Sequence, residues 1–315
     1  MVLFGLFLLV FPYLVVYAGK RPFNATEFLV WALFAMGFNL LWGFTGDLSF
    51  GHGMFFGWGA YTTGILSREL ATTPASILIA LAGGAVAAMM VSWPLAKLIV
   101  RRSHGVYFAM ITLAIGQVFF FLSIRLTSIT GGANGLGGIS RGSVLGLNML
   151  DEVFFYYFTA VVVFLVAWLL WTVTGSPFGW VCRGVQQNLN RMAFLGFDPV
   201  RYRERAFVYS AGICGVAGGL SAFLFLHVAP QSLHWTTTGT AVVMTMLGGV
   251  GSFFGPAAGA IFYKFLESIL NPITDYWPAF LGGVFVVFVL VAPQGLVGLA
   301  RRAWSSSFGR RSEAP

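Results

Sequence analysis

Charge is what this chain lacks most. Only 9% of its 315 residues are Asp, Glu, Lys or Arg, against roughly 25% in a soluble domain. That leaves too little polar surface to cover a globule in water and excludes a soluble helical bundle. Lysine is the scarcest cation: Lys20, Lys97 and Lys264 are followed by Arg21, Leu98 and Phe265. A phosphate-binding loop needs Lys followed by Ser or Thr, so that ammonium and hydroxyl reach phosphate and magnesium. The chain has no ATP site of that kind. Its two cysteines, Cys182 and Cys214, have no metal-site spacing. A disulfide is not expected either, because Cys182 falls in a basic segment that reads as cytoplasmic. His52, His104, His227 and His234 do not cluster, and no His-Glu-x-x-His occurs. Ser49, Ser210 or Ser221 with His52 or His227 is the pairing an intramembrane hydrolase would use, but chance supplies such pairs in any chain this long. No catalytic residue and no metal ligand is expected.

Hydrophobic residues make up 58% of the chain, and they come in runs. Apolar segments fall at about 2–18, 28–45, 48–66, 75–100, 105–125, 153–173, 206–227, 236–249, 252–270 and 277–293. About 20 helical residues cross the hydrocarbon core, so the reading is an all-α integral membrane protein. It expects a polytopic bundle of about 8–10 transmembrane or re-entrant helices. The first segment lacks a positive leader and is too long for a signal core, so it reads as a membrane helix. The 40 glycines allow close helix approach and broken backbone inside a membrane. Breaks are expected in 48–66 and in 236–260, which holds Gly248, Gly249, Gly251, Gly255 and Pro256. Leu48-Ser49-Phe50-Gly51 echoes Gly251-Ser252-Phe253-Phe254-Gly255. Either duplicated halves or two ordinary glycine-rich packing stretches account for it.

The net charge of +8 does not indicate nucleic acid, because the cations flank the apolar runs as the positive-inside rule requires. Three clusters share the inner side: Lys97/Arg101/Arg102, the loop 174–205, and Arg301/Arg302/Arg310/Arg311. The connection at about 126–152 then faces outward. One of the last short segments is expected to be re-entrant, or two to form one broken span. Lys20 and Arg21 lean weakly toward an inner first loop. The unit is one transmembrane domain over 1–300, with the loop at about 174–205 on its inner side, and a basic inner tail, 301–315.

Polar residues inside the apolar runs are candidates for a solute pathway: Asn39, Asp47, Ser49, His52, Gln117 and Asn134. Asp47 either orients the pathway or caps the following helix. Gln117 either faces the pathway or bonds a neighbouring helix. Lys264 and Glu267, three apart, share a helix face and read as a structural pair.

The run Asn39 to His52 (NLLWGFTGDLSFGH) resembles the N-terminal signature of branched-chain amino acid ABC importer permeases of the LivM/LivH type. Gly105–Ala109 leading to Thr127–Gly135, Arg183–Gly196, and Leu247–Ser252 with Gly255-Pro256 agree in order and spacing. The match covers about 28–300 and leans to the LivM side. The resemblance implies a type II ABC importer permease of the bacterial inner membrane, in contact with lipid and not with nucleic acid. It implies a second, LivH-like permease subunit, two cytoplasmic ATPases that bind the ATP and Mg, and a periplasmic binding protein. Its substrates are branched-chain or other hydrophobic amino acids, or urea, amides and small organic acids. A short coupling helix in the inner loop would seat on the ATPase through Arg183, Gln186, Leu189, Arg191, Met192, Leu195 and Gly196, with Ala193 on its apolar face. The family's acidic residues near 187–189 are replaced here by Gln187, Asn188 and Leu189, so the polar contacts of that helix differ. A channel or secondary transporter working alone would instead need membrane carboxylates for ion coupling.

Overall fold

The computed structural model describes residues 1–70, 76–141, 143–144, 147–292 and 295–299. The basic tail 301–315 lies outside them. The helices are α1 (Val2–Tyr17), α2 (Pro22–Thr45), α3 (His52–Glu69), α4 (Ser76–Ile99), α5 (Gly105–Arg125) and the single turn α6 (Thr127–Thr130). After a 3-10 turn (Gly132–Asn134) and a minimal hairpin, β1 (Ser143–Val144) with β2 (Leu147–Asn148), come α7 (Glu152–Gly175), α8 (Pro177–Gln187) and α9 (Leu189–Phe194). Then α10 (Pro199–Phe225), a second 3-10 turn (Pro230–Leu233), α11 (Trp235–Gly248), α12 (Gly255–Leu270) and α13 (Trp277–Val291) follow.

Among the described residues, six helical segments are long and apolar enough to cross a membrane unaided. Burial sorts them. The best apolar window of α2 is 89% buried and that of α10 is 78%, against 22% in α5. So α2, α3 and α10 form the centre, and α1, α4, α5, α7 and α13 turn apolar faces outward, such as Met90 and Trp93 on α4 and Leu165 and Trp168 on α7. A face of that composition suits lipid or another apolar subunit. Glycine makes the centre possible. A Cβ on Gly218 of α10 would overlap the Phe56 carbonyl of α3, and one on Gly59 would overlap the backbone of Gly215.

Two of the expected inner clusters meet: Arg101 Nε donates to Glu204 Oε1 at 2.7 Å. From that end the described residues trace ten passes: α1, α2, α3, α4, α5, α7, α10, α11, α12 and α13. The expected re-entrant segment is not needed, since four passes after Arg205 return the chain to the side it left. The break lies within one pass. Residues 226–234 descend from the outer end of α10 without α-helix, and the 14-residue α11 completes the crossing. Of the two stretches expected to be broken, 48–66 is continuous helix from His52 onward, its irregular part confined to 46–51. In 236–260 the break is the turn 249–254 between α11 and α12, where Gly249 and Gly251 hold φ of 111° and 78°. Lys20 is at the outer end, against the weak expectation of an inner first loop. Its Nζ donates to the Ser268 carbonyl near the end of α12 at 2.6 Å, where a cation suits the helix dipole.

The outer loop is pinned by Arg141. Its guanidinium is buried, donates to the Phe223 and Leu224 carbonyls at 2.7 and 2.8 Å, and lies 4.1 Å from the Phe155 ring centroid. It thereby satisfies carbonyls that the end of α10 leaves open. Leu136 and Val228 add one antiparallel bridge. Lys264 is paired with Glu267 as expected and also with Glu27 of α2, both at 2.9 Å.

Gly218→Val should cost roughly 1–3 kcal/mol or more by overpacking the α3–α10 contact. The same change at Gly282, where a Cβ would enter open space with nothing within 4 Å, should be tolerated. Size-exclusion profiles and melting in detergent compare the two.

Candidate functional site at the inner face

Asp47 lies in the irregular segment 46–51, which opens on Gly46 at φ 81°. Arg203 comes from the first turns of α10 and is fully buried. Its Nε and Nη2 donate to the two Asp47 carboxylate oxygens at 2.6 Å each. Nη1 donates to the Val100 carbonyl at 3.3 Å, and Nη2 also to the Ser103 carbonyl at 3.2 Å. His104 Nδ1 accepts from Nη1 at 2.5 Å. One guanidinium thus joins three connections: α2 to α3, α4 to α5, and the inner loop to α10. The planar fork of arginine allows this; the point charge of lysine would not. Burial, and then the Arg203 cation, hold His104 below its ordinary 6.5.

The inner loop is two capped helices. Pro177 opens α8 at its first position. Asn188 caps α9, its Oδ1 accepting from Arg191 N at 2.9 Å. Gly196 turns at φ 86°, and Asp198 caps α10 by accepting from Val200 N and Arg201 N. Each of these residue types suits its place, caps and a left-handed turn. The α8 helix seats on the end of α2: Gln186 lies over Gly46, and the Arg183 guanidinium is 4.8 Å from the Phe44 ring centroid. Burial holds the Cys182 thiol up at about 12.

The apolar face of the loop differs from the one expected. Met192 is turned inward against Gly184, and Leu189 is half-buried. Ala193 and Leu195 point outward, Leu195 at 65% exposure. The most exposed apolar side chain of the loop is Phe194 at 92%, with Phe197 beside it. Sequence reading passed over both phenylalanines, although they flank Leu195-Gly196 in the most polar stretch of the chain. Arg191 and Gln186 are exposed.

The six pathway candidates separate. Asn39 is enclosed and clamps the 249–254 turn, donating to the Ser252 carbonyl at 2.9 Å and accepting from Gly251 N at 3.1 Å. Ser49 and His52 are also enclosed and lie in one chain of hydrogen bonds. The Ser210 hydroxyl donates to the Gly37 carbonyl at 2.6 Å, His52 Nε2 is 2.9 Å from Ser210 Oγ, and His52 Nδ1 is 2.8 Å from Ser49 Oγ. With Ser210 already donating, Nε2 carries the proton and Nδ1 accepts from Ser49. Phe38, Phe55 and Phe207 stand edge-on around the imidazole. In this conformation Asn39, Asp47, Ser49 and His52 offer almost no surface to a solute. Gln117 is half-buried, and its amide nitrogen has no hydrogen-bond partner. Asn134 is exposed on the outer loop, where its carbonyl meets His227 Nε2 at 2.9 Å. A cleft of about 1030 Å³ separates α8 from the 249–254 turn, between Arg183 and Gln186 on one side and Gly251 and Phe253 on the other.

A ten-pass helical bundle, with an apolar-tipped basic loop on its inner face, defines a multi-pass membrane permease. The chain belongs to the family described as branched-chain amino acid transport system / permease component, whose model matches residues 23–290, and is a membrane permease subunit of an ABC importer. It is similar to the high-affinity branched-chain amino acid transport system permease protein LivM of Salmonella typhimurium, 27% identical over 88% of this chain and 70% of that protein. LivH of the same organism is 22% identical over 90% of this chain and 96% of its own length. A probable LivM of Methanocaldococcus jannaschii is 25% identical over 75% of this chain and 74% of its own. No solved structure matches.

Asp47→Ala should destabilise the purified chain by about 3–5 kcal/mol, because it strands a buried guanidinium. An Asp47→Leu/Arg203→Met double variant should recover much of that in detergent melts. The pH dependence follows from His104. Its folded-state pKa is depressed, so its contribution is fully present above 6.5 and is lost as pH falls, when a second cation forms against Arg203. Melting temperature should drop on acidification, and His104→Gln should flatten that drop.

Proposed function

We propose that this chain is one of two permease subunits of an ATP-driven importer in the bacterial inner membrane, and that it passes branched-chain or other hydrophobic amino acids. The observation that carries the reading is the exposed tip Phe194–Phe197, standing on a loop fixed to the membrane bundle by the Asp47–Arg203 pair. An exposed aromatic on a short helix is a fit for a groove on another protein. In this reading the groove belongs to a cytoplasmic ATPase that binds ATP and Mg. Arg183, Gln186, Leu189, Arg191, Met192, Leu195 and Gly196 supply the frame of the coupling element, and Phe194 its anchor. The permease partner resembles LivH, as the relatives named LivM and LivH suggest, and a periplasmic binding protein delivers the solute. Substrate preference follows from the relatives' names and from the scarcity of charge along the passes.

A stand-alone ion-coupled transporter finds little support. Among the described residues, the carboxylates within the bundle are held by cations: Asp47 by Arg203, and Glu27 and Glu267 by Lys264. Each of these is engaged in an ion pair within the bundle.

Phe194→Asp should abolish co-purification with the cognate ATPases and ATP-driven uptake, while membrane insertion and the melting profile of the chain stay unchanged. Retained association would place the docking element elsewhere. Uptake driven by an ion gradient without ATP would end the importer reading.

A further inference from the structure

The broken pass is polar where the other outward faces are apolar. Two contacts fix its depth. Leu233 packs on Gly57 of α3, and Gly53 N donates to Thr238 Oγ1 at 2.6 Å. The same stretch of α3 faces α10 from Ser210, bonded to His52, to Gly215, which meets Gly59. Those two residues lie about 10 Å and about 18 Å along α10 from Arg203 at the inner end, at 1.5 Å per residue. The α10 helix has 27 residues and so runs about 40 Å. The segment 231–240 therefore begins near mid-membrane.

At that depth the chain is a 3-10 turn followed by the first turns of α11, with Gln231, Trp235 and Thr236 exposed and His234, Thr237 and Thr240 half-exposed. The Phe120 ring of α5 stands 4.8 Å from the His234 ring. Gln117, one turn earlier on α5, has the unpartnered amide nitrogen. Irregular backbone with exposed polar side chains is not tolerated against lipid, but it is tolerated where it lines water. The contrast within this chain is direct: the exposed faces of α4 and α7 present Met90, Leu98, Leu165 and Leu169.

Resting on the permease reading above, we infer that residues 231–240, with the Gln117–Phe120 face of α5, form the wetted mid-membrane wall of the solute pathway. The chemistry of the wall defines its ligand. No Asp, Glu, Lys or Arg occurs between Arg205 and Lys264, or in α5 before Arg125. Hydroxyls, carboxamides and one imidazole remain. His234 Nδ1 is engaged by Thr236, 3.0 Å from its Oγ1 and 3.4 Å from its N, which leaves Nε2 as the ring nitrogen open to a ligand. Phe120 and Trp235 supply apolar surface beside it. Such a wall hydrogen-bonds the ends of a small zwitterion and tolerates an aliphatic side chain, without a fixed charge to trap it.

The test uses the full chain assembled with its partner subunits, with Cys182→Ala and Cys214→Ala removing the two buried native thiols. Gln231→Cys and Thr236→Cys are compared with Met90→Cys and Leu165→Cys for reaction with a membrane-impermeant cationic methanethiosulfonate. Wall positions should react at least about tenfold faster than the two controls, since the reagent needs a solvated thiolate. Leucine with its binding protein and ATP should change that rate at Thr236→Cys. If uptake and ATPase association are intact yet Thr236→Cys is as unreactive as Met90→Cys, the segment faces lipid or the second subunit, and the inference is overturned while the permease reading stands. Fast labelling in an assembly that lacks ATP-driven uptake would support the wetted wall and count against the function proposed above.

Discussion

The inner half of this molecule depends on one buried ion pair. Asp47 and Arg203 come from segments 156 residues apart in sequence, and between them they tie the inner ends of α2, α3, α4, α5 and α10. Burying two charges is expensive, and a well-packed apolar pair is often as stable. What the pair adds is position. The guanidinium has donors left for the Val100 and Ser103 carbonyls and for His104, so it fixes where three chain connections sit relative to one another. The neighbouring Arg101–Glu204 pair does little of this, because it is half in solvent and screened.

Around that node the contacts run in both directions. Outward, α8 rests on the end of α2 through Gln186 and Arg183, and α9 rests on α8 through Met192 and Gly184. Inward, the segment 46–51 leads to Ser49, His52 and Ser210, and Asn39 holds the opposite turn at Gly251 and Ser252. These contacts connect the exposed tip to the inner ends of α2 and α10, so under the proposed coupling role a displacement of one is passed to the other. The enclosed polar residues belong to this framework. Asn39 spends its hydrogen bonds on backbone of the 249–254 turn, while Ser49, His52 and Ser210 bond one another, so that few buried polar groups are left unpaired.

Much of this was legible in the sequence. The apolar runs matched the passes, the basic clusters at 97–102 and 174–205 fell at one end of the bundle, and the Asn, Gly and Asp of the loop marked its caps and turn. The family resemblance located the loop helix. What failed has a common cause. Periodicity and composition say that a polar residue in an apolar run is special, but not whether its partner is water or backbone. Asn39, Ser49 and His52 therefore read as pathway residues, when their partners lie up to 213 residues away in sequence. Arg141 and Arg203 were unremarkable as letters and became informative only through burial. The apolar face of the loop was misjudged for the same reason, since a six-residue helix is too short for its pattern to say which side is covered.

The distribution of polarity follows from the work an importer must do. The buried charges lie toward the two ends of the bundle, Asp47 with Arg203 at one and Lys264 with its two glutamates and Arg141 at the other, where they hold connections. Between them the passes carry only neutral polar groups. A fixed charge at mid-membrane would be costly to insert, by about 2.5–3.5 kcal/mol on the translocon scale, and would bind a zwitterion by one end tightly enough to slow its release. A pathway must bind weakly enough to let go. In the wall inferred above, threonine, glutamine and histidine at 231–240 would meet both constraints.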